Sequence, residues 1–253
     1  MAKQSIHRTT LIGLLLGFLL STAATAQETP AATRIEPPQS VLFLGNSLTM
    51  YNNAIYTHLR GLLVAVDPAA REQVFLKSIM INGAVLADHR GGLMKMLAAR
   101  DWDVVVLQGH SREALDERMA EGFTSTAREF AGIIRSKDSE PVLFMTWAYA
   151  SQPGMTARLA EAYAKLGGKL GLRVVPVGLA FEQAGKDIPG LSLYVPDGIH
   201  PTMEGTYLAA SVFYAALFGA SPLDIDYDAG LDAGLARQLR EVAWRTVRKY
   251  ISP

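Results

Sequence analysis

Three residue types in this chain have the spacing that nucleophilic catalysis needs. Ser47 stands at the tip of VLFLGNSLTMYNN, where four apolar residues run into Gly45-Asn46-Ser47. Far downstream, VPDGIHPT places Asp197 three residues before His200. A serine hydroxyl is a poor nucleophile until an imidazole takes its proton, and the imidazole works best when a carboxylate fixes its tautomer. One short loop can supply both partners. Pro201 disfavours helix at His200, and MEGTYLAASVFYAALF behind it reads as a helix, so the loop is held between fixed elements. Gly-Asn-Ser alone is ordinary turn chemistry. The downstream loop gives it a catalytic reading.

Other polar clusters point to less. Asp224, Asp226 and Asp228 resemble the opening of a calcium loop, but the glycine falls one position late at Gly230 and Leu235 stands where a bidentate glutamate belongs. The histidines show no HExxH spacing and the chain has no cysteine, so zinc is not indicated. No glycine-rich loop has phosphate-binding spacing. No cofactor or metal is expected. His58 and His89 fall in helical or pre-helical stretches and read as surface or packing residues.

The elements that must position Ser47, Asp197 and His200 follow from periodicity. Short apolar runs at Val41–Leu44, Val74–Ile79, Val104–Leu107, Val142–Met145 and Val174–Val177 alternate with stretches of helical period. Near-continuous apolar strands between amphipathic helices predict a central parallel five-stranded sheet covered on both faces, a three-layer α/β/α sandwich. In such sheets ligands gather beyond the carboxyl ends of the strands. Each strand there runs into polar residues or glycine: Gly45-Asn46-Ser47, Asn82-Gly83, Gln108-Gly109-His110-Ser111, Thr146-Trp147, and after the fifth strand the Asp197–His200 loop. Trp147 and Tyr149 read equally as a platform for an acyl or sugar group and as core packing. Leu235, Leu239, Val242, Ala243, Val247 and Tyr250 form the apolar stripe of a covering C-terminal helix.

The first residues address the compartment. Lys3 and Arg8 precede LIGLLLGFLL, and Ala24-Thr25-Ala26 fits a signal-peptidase site, so residues 1–26 read as a cleavable signal peptide, with an uncleaved anchor as the alternative. Residues 27–40, QETPAATRIEPPQS, read as a linker and 41–253 as a single domain. Losing Lys3 and Arg8 leaves 22 basic against 24 acidic residues, a formal charge of −2, with no basic face to suit nucleic acid. No later apolar run is long enough for a stable membrane insertion. The expected location is periplasmic or secreted.

FLGNSLT, Gly83, the third-strand edge and DGIHP, in this order, resemble the sequence blocks of the SGNH/GDSL hydrolase superfamily, from Val41 to about Leu217. The resemblance implies an α/β/α ester hydrolase with Ser47 as nucleophile, His200 as general base and Asp197 as its orienting partner. It places the backbone N–H groups of Ser47 and Gly83 in an oxyanion hole. Two positions depart from the pattern. Asn46 stands where the family usually has aspartate, and asparagine can serve through its own turn bonding. The third edge lacks the usual oxyanion asparagine and reads QGHS, similar to the Gln-Gly-Glu-Ser edge of the sialate O-acetylesterase and acetylxylan esterase branch.

Gln108 is therefore expected as third donor, with His110 as the competing candidate, and Asn46 and Trp147 as substrate contacts. The branch likeness implies small acyl esters, acetyl above all, of a glycan or other small molecule. The same residues also fit a lipase or thioesterase acting on longer chains, a polysaccharide O-acetyltransferase, or a catalytically silent carbohydrate-binding protein. With a histidine base, activity should rise as His200 loses its proton near neutrality.

Overall fold

The computed structural model describes Met1 and residues 37–251. The expected signal peptide and most of the linker lie outside the described residues. Strand β1 (Ser40–Gly45) leads into a one-turn helix α1 (Ser47–Met50), then α2 (Ile55–Val66) and the short α3 (Ala70–Gln73). Next come β2 (Phe75–Met80), a 3-10 turn (Leu86–His89) and α4 (Arg90–Ala99). They are followed by β3 (Val104–Leu107), α5 (Ala120–Arg135), β4 (Glu140–Phe144), α6 (Met155–Leu170) and β5 (Arg173–Val175). The chain closes with α7 (Val177–Asp187), α8 (Met203–Phe218) and α9 (Ala233–Ile251).

All five strands are parallel, in the order β2-β1-β3-β4-β5. The two-residue period of a strand divides each interior strand between two cores. Val41, Phe43, Val104, Val106, Val142 and Phe144 face a layer built around α2, α7, α8 and α9. Leu42, Leu44, Val105, Leu107 and Leu143 face the opposite layer, with α5 and α6. Both faces are covered, which is why β1 and β3 are apolar without interruption.

Helix α8 differs from its neighbours. Every residue from Gly205 to Leu217 is buried, because the helix packs against α2, α7 and α9 as well as the sheet side of the core. A helix enclosed in this way is apolar all round and has no amphipathic stripe. Three expected strands shift by one or two residues, to Phe75–Met80, Glu140–Phe144 and Arg173–Val175. Val177 opens α7 and does not end the fifth strand: Pro176 has no N–H for the ladder, and its fixed ring suits a helix start.

Candidate active site

The strand end at Gly45 is shaped by close packing. A Cβ on Gly45 would meet Gln108 Oε1 at 2.7 Å and Thr49 Oγ1 at 2.8 Å, so only glycine lets the first and third edges approach this closely. Asn46 then caps α1, its Oδ1 accepting the N–H of Leu48 at 3.1 Å. Ser47 is thereby the first residue of a helical turn, where the backbone N–H has no intrahelical acceptor. His89, fully buried, donates Nε2–H to the Gly45 carbonyl at 2.9 Å and braces the strand end from below.

The partner loop is a tight reversal. Tyr194 and Pro201 form an antiparallel bridge, the Val195 N–H donates to the His200 carbonyl, and the Gly198 N–H donates to that of Val195. Pro196 and Asp197 occupy the centre of this turn, and Gly198 has φ +69°. From below, Trp147 Nε1 donates to the Ile199 carbonyl at 2.9 Å.

These two segments bring Ser47, His200 and Asp197 into one hydrogen-bonded chain. Asp197 Oδ2 lies 2.6 Å from His200 Nδ1, and His200 Nε2 lies 2.8 Å from Ser47 Oγ. A carboxylate can only accept, so Nδ1 carries the proton and Nε2 is left to accept from the serine hydroxyl. Asp197 Oδ1 also accepts the N–H groups of Ile199 (2.8 Å) and His200 (2.9 Å). The His200 side-chain bond, with these backbone bonds, pulls the Asp197 carboxyl down to about 2, so it is charged wherever an esterase would work. The His200 side chain is 24% exposed and that of Asp197 42%. The group opens to solvent.

Gly83 has φ +69°, is exposed, and has open space where a Cβ would stand. Its glycine answers a conformational need and not a steric one. The third edge departs from expectation. Gln108 is fully buried, its Nε2 donates to Asn46 Oδ1 at 2.6 Å, and its Oε1 accepts from Thr49 Oγ1 and from the Asn46 N–H. With its amide enclosed in this way, Gln108 offers no donor to a substrate in this structure. His110, half-buried, remains the side chain of that edge that reaches solvent. Burial, with Arg112 second, pushes its imidazole below the ordinary histidine value, toward the neutral form.

Asn46 and Trp147 are likewise inside the protein and not on a substrate-facing surface. Asn46 Nδ2 donates to the carbonyls of Ala84 (3.2 Å) and Gly109 (3.4 Å), tying all three edges together. Trp147, 1% exposed, stacks on Phe181 with ring centroids 4.1 Å apart. His58 and His89 are both buried hydrogen-bonders. Sequence reasoning missed two residues. Tyr51, one turn after Ser47, stacks on the His200 ring, and the buried Glu113 accepts the N–H groups of Leu86 and His110. A tyrosine four residues after the serine was a readable signal; nothing in the sequence marked Glu113. Against the 195–198 loop lies a cleft of about 550 Å³ whose polar lining includes Tyr149, Thr156, Glu182, Lys186, Ser192 and Tyr194.

Solved structures share this fold. A DUF4886 family protein from Bacteroides uniformis superposes with a TM-score of 0.65 at 19% identity, over 82% of this chain and 94% of its own. An acetylxylan esterase from Geobacillus stearothermophilus gives 0.58 at 16%, over 74% and 97%. The chain has the SGNH/GDSL hydrolase fold. TesA, a third protein of similar fold, gives 0.53 at 20% identity, over 70% and 96%. No family model and no curated protein matches the sequence.

Proposed function

We propose that the chain is an exported serine esterase that removes small acyl groups, acetyl above all, from a carbohydrate. The observation that carries this reading is the continuous chain Ser47 Oγ, His200 Nε2, His200 Nδ1, Asp197 Oδ2 at 2.8 and 2.6 Å. In the acylation step the Ser47 proton passes to His200 Nε2 while Oγ bonds to the ester carbonyl carbon, and the carbonyl π pair moves onto oxygen. The N–H groups of Ser47 and Gly83 hold that oxyanion, and His110 takes the place first expected of Gln108. Collapse breaks the bond to the alcohol, which leaves with the proton from His200. Water, deprotonated by the same imidazole, then attacks the acyl carbon, the bond to Ser47 Oγ breaks, and Oγ takes the proton back from His200 as the carboxylic acid leaves.

The acetyl preference draws on the fold shared with the acetylxylan esterase, some of whose solved forms are catalytic mutants at a serine, an aspartate and a histidine three positions after it. That is the spacing of Asp197 and His200. Exposed Met50 and Ile81, 40% and 39% accessible, favour the longer-chain reading instead.

The deciding experiment is intact-mass analysis after treatment with a small fluorophosphonate, for wild type and Ser47→Ala. A single adduct on wild type that is absent from the variant is the expected result. No adduct on folded wild type would end the hydrolase reading. A series of p-nitrophenyl esters from acetyl to decanoyl, with acetylated xylo-oligosaccharides alongside, then separates the acyl preferences.

A further inference from the structure

Between α1 and α2 the chain passes through Tyr51-Asn52-Asn53-Ala54, and its backbone there is unusual. Asn52, Asn53 and Ala54 have φ of 51°, 68° and 71° in succession. Asparagine tolerates the left-handed region, but Ala54, with ψ 143°, lies where essentially only glycine is at ease. Such a conformation persists when its surroundings over-determine it. Here they do. Asn52 Nδ2 donates to the Pro201 carbonyl (2.9 Å) and to Thr206 Oγ1 (2.8 Å). The Asn52 carbonyl accepts from His58 Nε2 at 2.7 Å, so His58 Nδ1 is left to accept from the Tyr227 hydroxyl at 2.9 Å. Ala54 itself is buried.

The strained turn delivers two groups to one place. Tyr51 lies flat on the His200 imidazole, centroids 4.3 Å apart and planes within 12°. Asn52 holds the carbonyl of the very next residue, Pro201. The Tyr51 N–H donates to the Ser47 carbonyl at 3.1 Å, so the plate over the base hangs from the nucleophile's own residue.

We propose that Tyr51–Ala54 is the positioning device of the general base, a role that rests on the Ser-His-Asp reading above. The Tyr51 ring closes one face of the imidazole and keeps it in the plane that serves Ser47 and Asp197 together. When the Ser47 proton reaches Nε2, the same ring faces the imidazolium with its electron-rich surface. Asn52 fixes the height of the loop that carries the ring. The distortion at Ala54 is the conformational cost of that placement.

The test uses the full chain with Tyr51→Phe, Tyr51→Leu and Tyr51→Ala, each checked for folding by circular dichroism. Three quantities are read: the rate of fluorophosphonate adduct formation, KM for p-nitrophenyl acetate, and the low-field proton resonance of a histidine Nδ1–H bonded to carboxylate. Tyr51→Phe should match wild type in all three. Tyr51→Leu and Tyr51→Ala should label about 10- to 100-fold more slowly, with KM for p-nitrophenyl acetate little changed and the Nδ1–H resonance broadened or lost. Leu or Ala variants with wild-type labelling and an intact resonance would overturn the proposal. Should wild type itself fail to label, the esterase reading falls, while the resonance still reports whether Tyr51 holds the ring.

Discussion

Glu113 and Leu86, 27 residues apart, are joined by a carboxylate that accepts the Leu86 N–H at 3.0 Å and the His110 N–H at 2.8 Å. This one buried side chain links the loop after Gly83 to the third strand edge, the two walls of the proposed oxyanion hole. Both N–H groups donate to Oε2, so Glu113→Gln can keep them at its amide oxygen and loses only the 3.3 Å contact of Oε1 with the Leu86 N–H, whereas Glu113→Ala leaves both donors without this acceptor.

We expect Glu113→Ala to lose about 1–3 kcal/mol of stability and to slow labelling of Ser47, read by urea unfolding and adduct kinetics, and Glu113→Gln to lose less. The pH dependence gives a second readout. Burial, its largest influence, raises the Glu113 carboxyl above 4.5, against the pull of the His110 and Leu86 N–H groups. The folded state then binds this proton more tightly than the unfolded state does. Stability should fall as pH rises from about 4.5 through the raised value, and that slope should vanish in Glu113→Gln.

Asn46 is the position where the SGNH blocks usually have aspartate, and its contacts explain the exchange. Its Nδ2 donates to two carbonyls, Ala84 and Gly109, which a carboxylate would meet with lone pairs. Asn46→Asp should therefore destabilise the fold by about 1–3 kcal/mol and lower the labelling rate. An Asp variant as stable as wild type would show that these two bonds contribute little.

Asp197 sets a third expectation. The His200 side chain, then the backbone N–H groups, hold its carboxyl at about 2, below the ordinary 3.8. The stability it contributes is present above 3.8 and is lost as pH falls toward 2. Solvent screening keeps this contribution small for a side chain 42% exposed. The effect on rate is larger. With Asp197 still charged at about pH 4, the acid limb of the activity profile should follow the loss of one proton site, and a slope of two would contradict this. Asp197→Asn should cut labelling by roughly 10³–10⁴-fold, because the amide favours the wrong imidazole tautomer.

The parts of this site that were legible in the sequence are those with a local cause. VVVL becomes β3 at the residues expected, and the parallel sheet follows from strands that had to be buried on both faces. That Ser47, Asp197 and His200 could meet was readable because a strand end and a turn each advertise themselves in residue type. The role of Gln108 was not. Whether an amide points at substrate or at Asn46 depends on the space left by Gly45 and on Thr49, which only the assembled edges define. Of the two readings open for Trp147, packing holds and substrate contact does not, because Phe181, from α7, covers its face. Glu113 lies further out of reach, since it acts across a gap in sequence that no periodicity encodes.

Helix α8 carries one more consequence, for the order of events in folding. Its residues from Gly205 to Leu217 are enclosed on all sides, and it begins directly behind the loop bearing His200. Ser47 and His200 are 153 residues apart, so their meeting closes one of the long loops of the chain, a late and slow event in topologies of this kind. As a nascent chain emerges amino-terminus first, the proposed nucleophile is made long before its proposed base, and we expect it to stay chemically silent until the loop that bears His200 is in place. In refolding from urea, reactivity of Ser47 toward fluorophosphonate should accordingly appear after the bulk of the far-ultraviolet circular dichroism has returned.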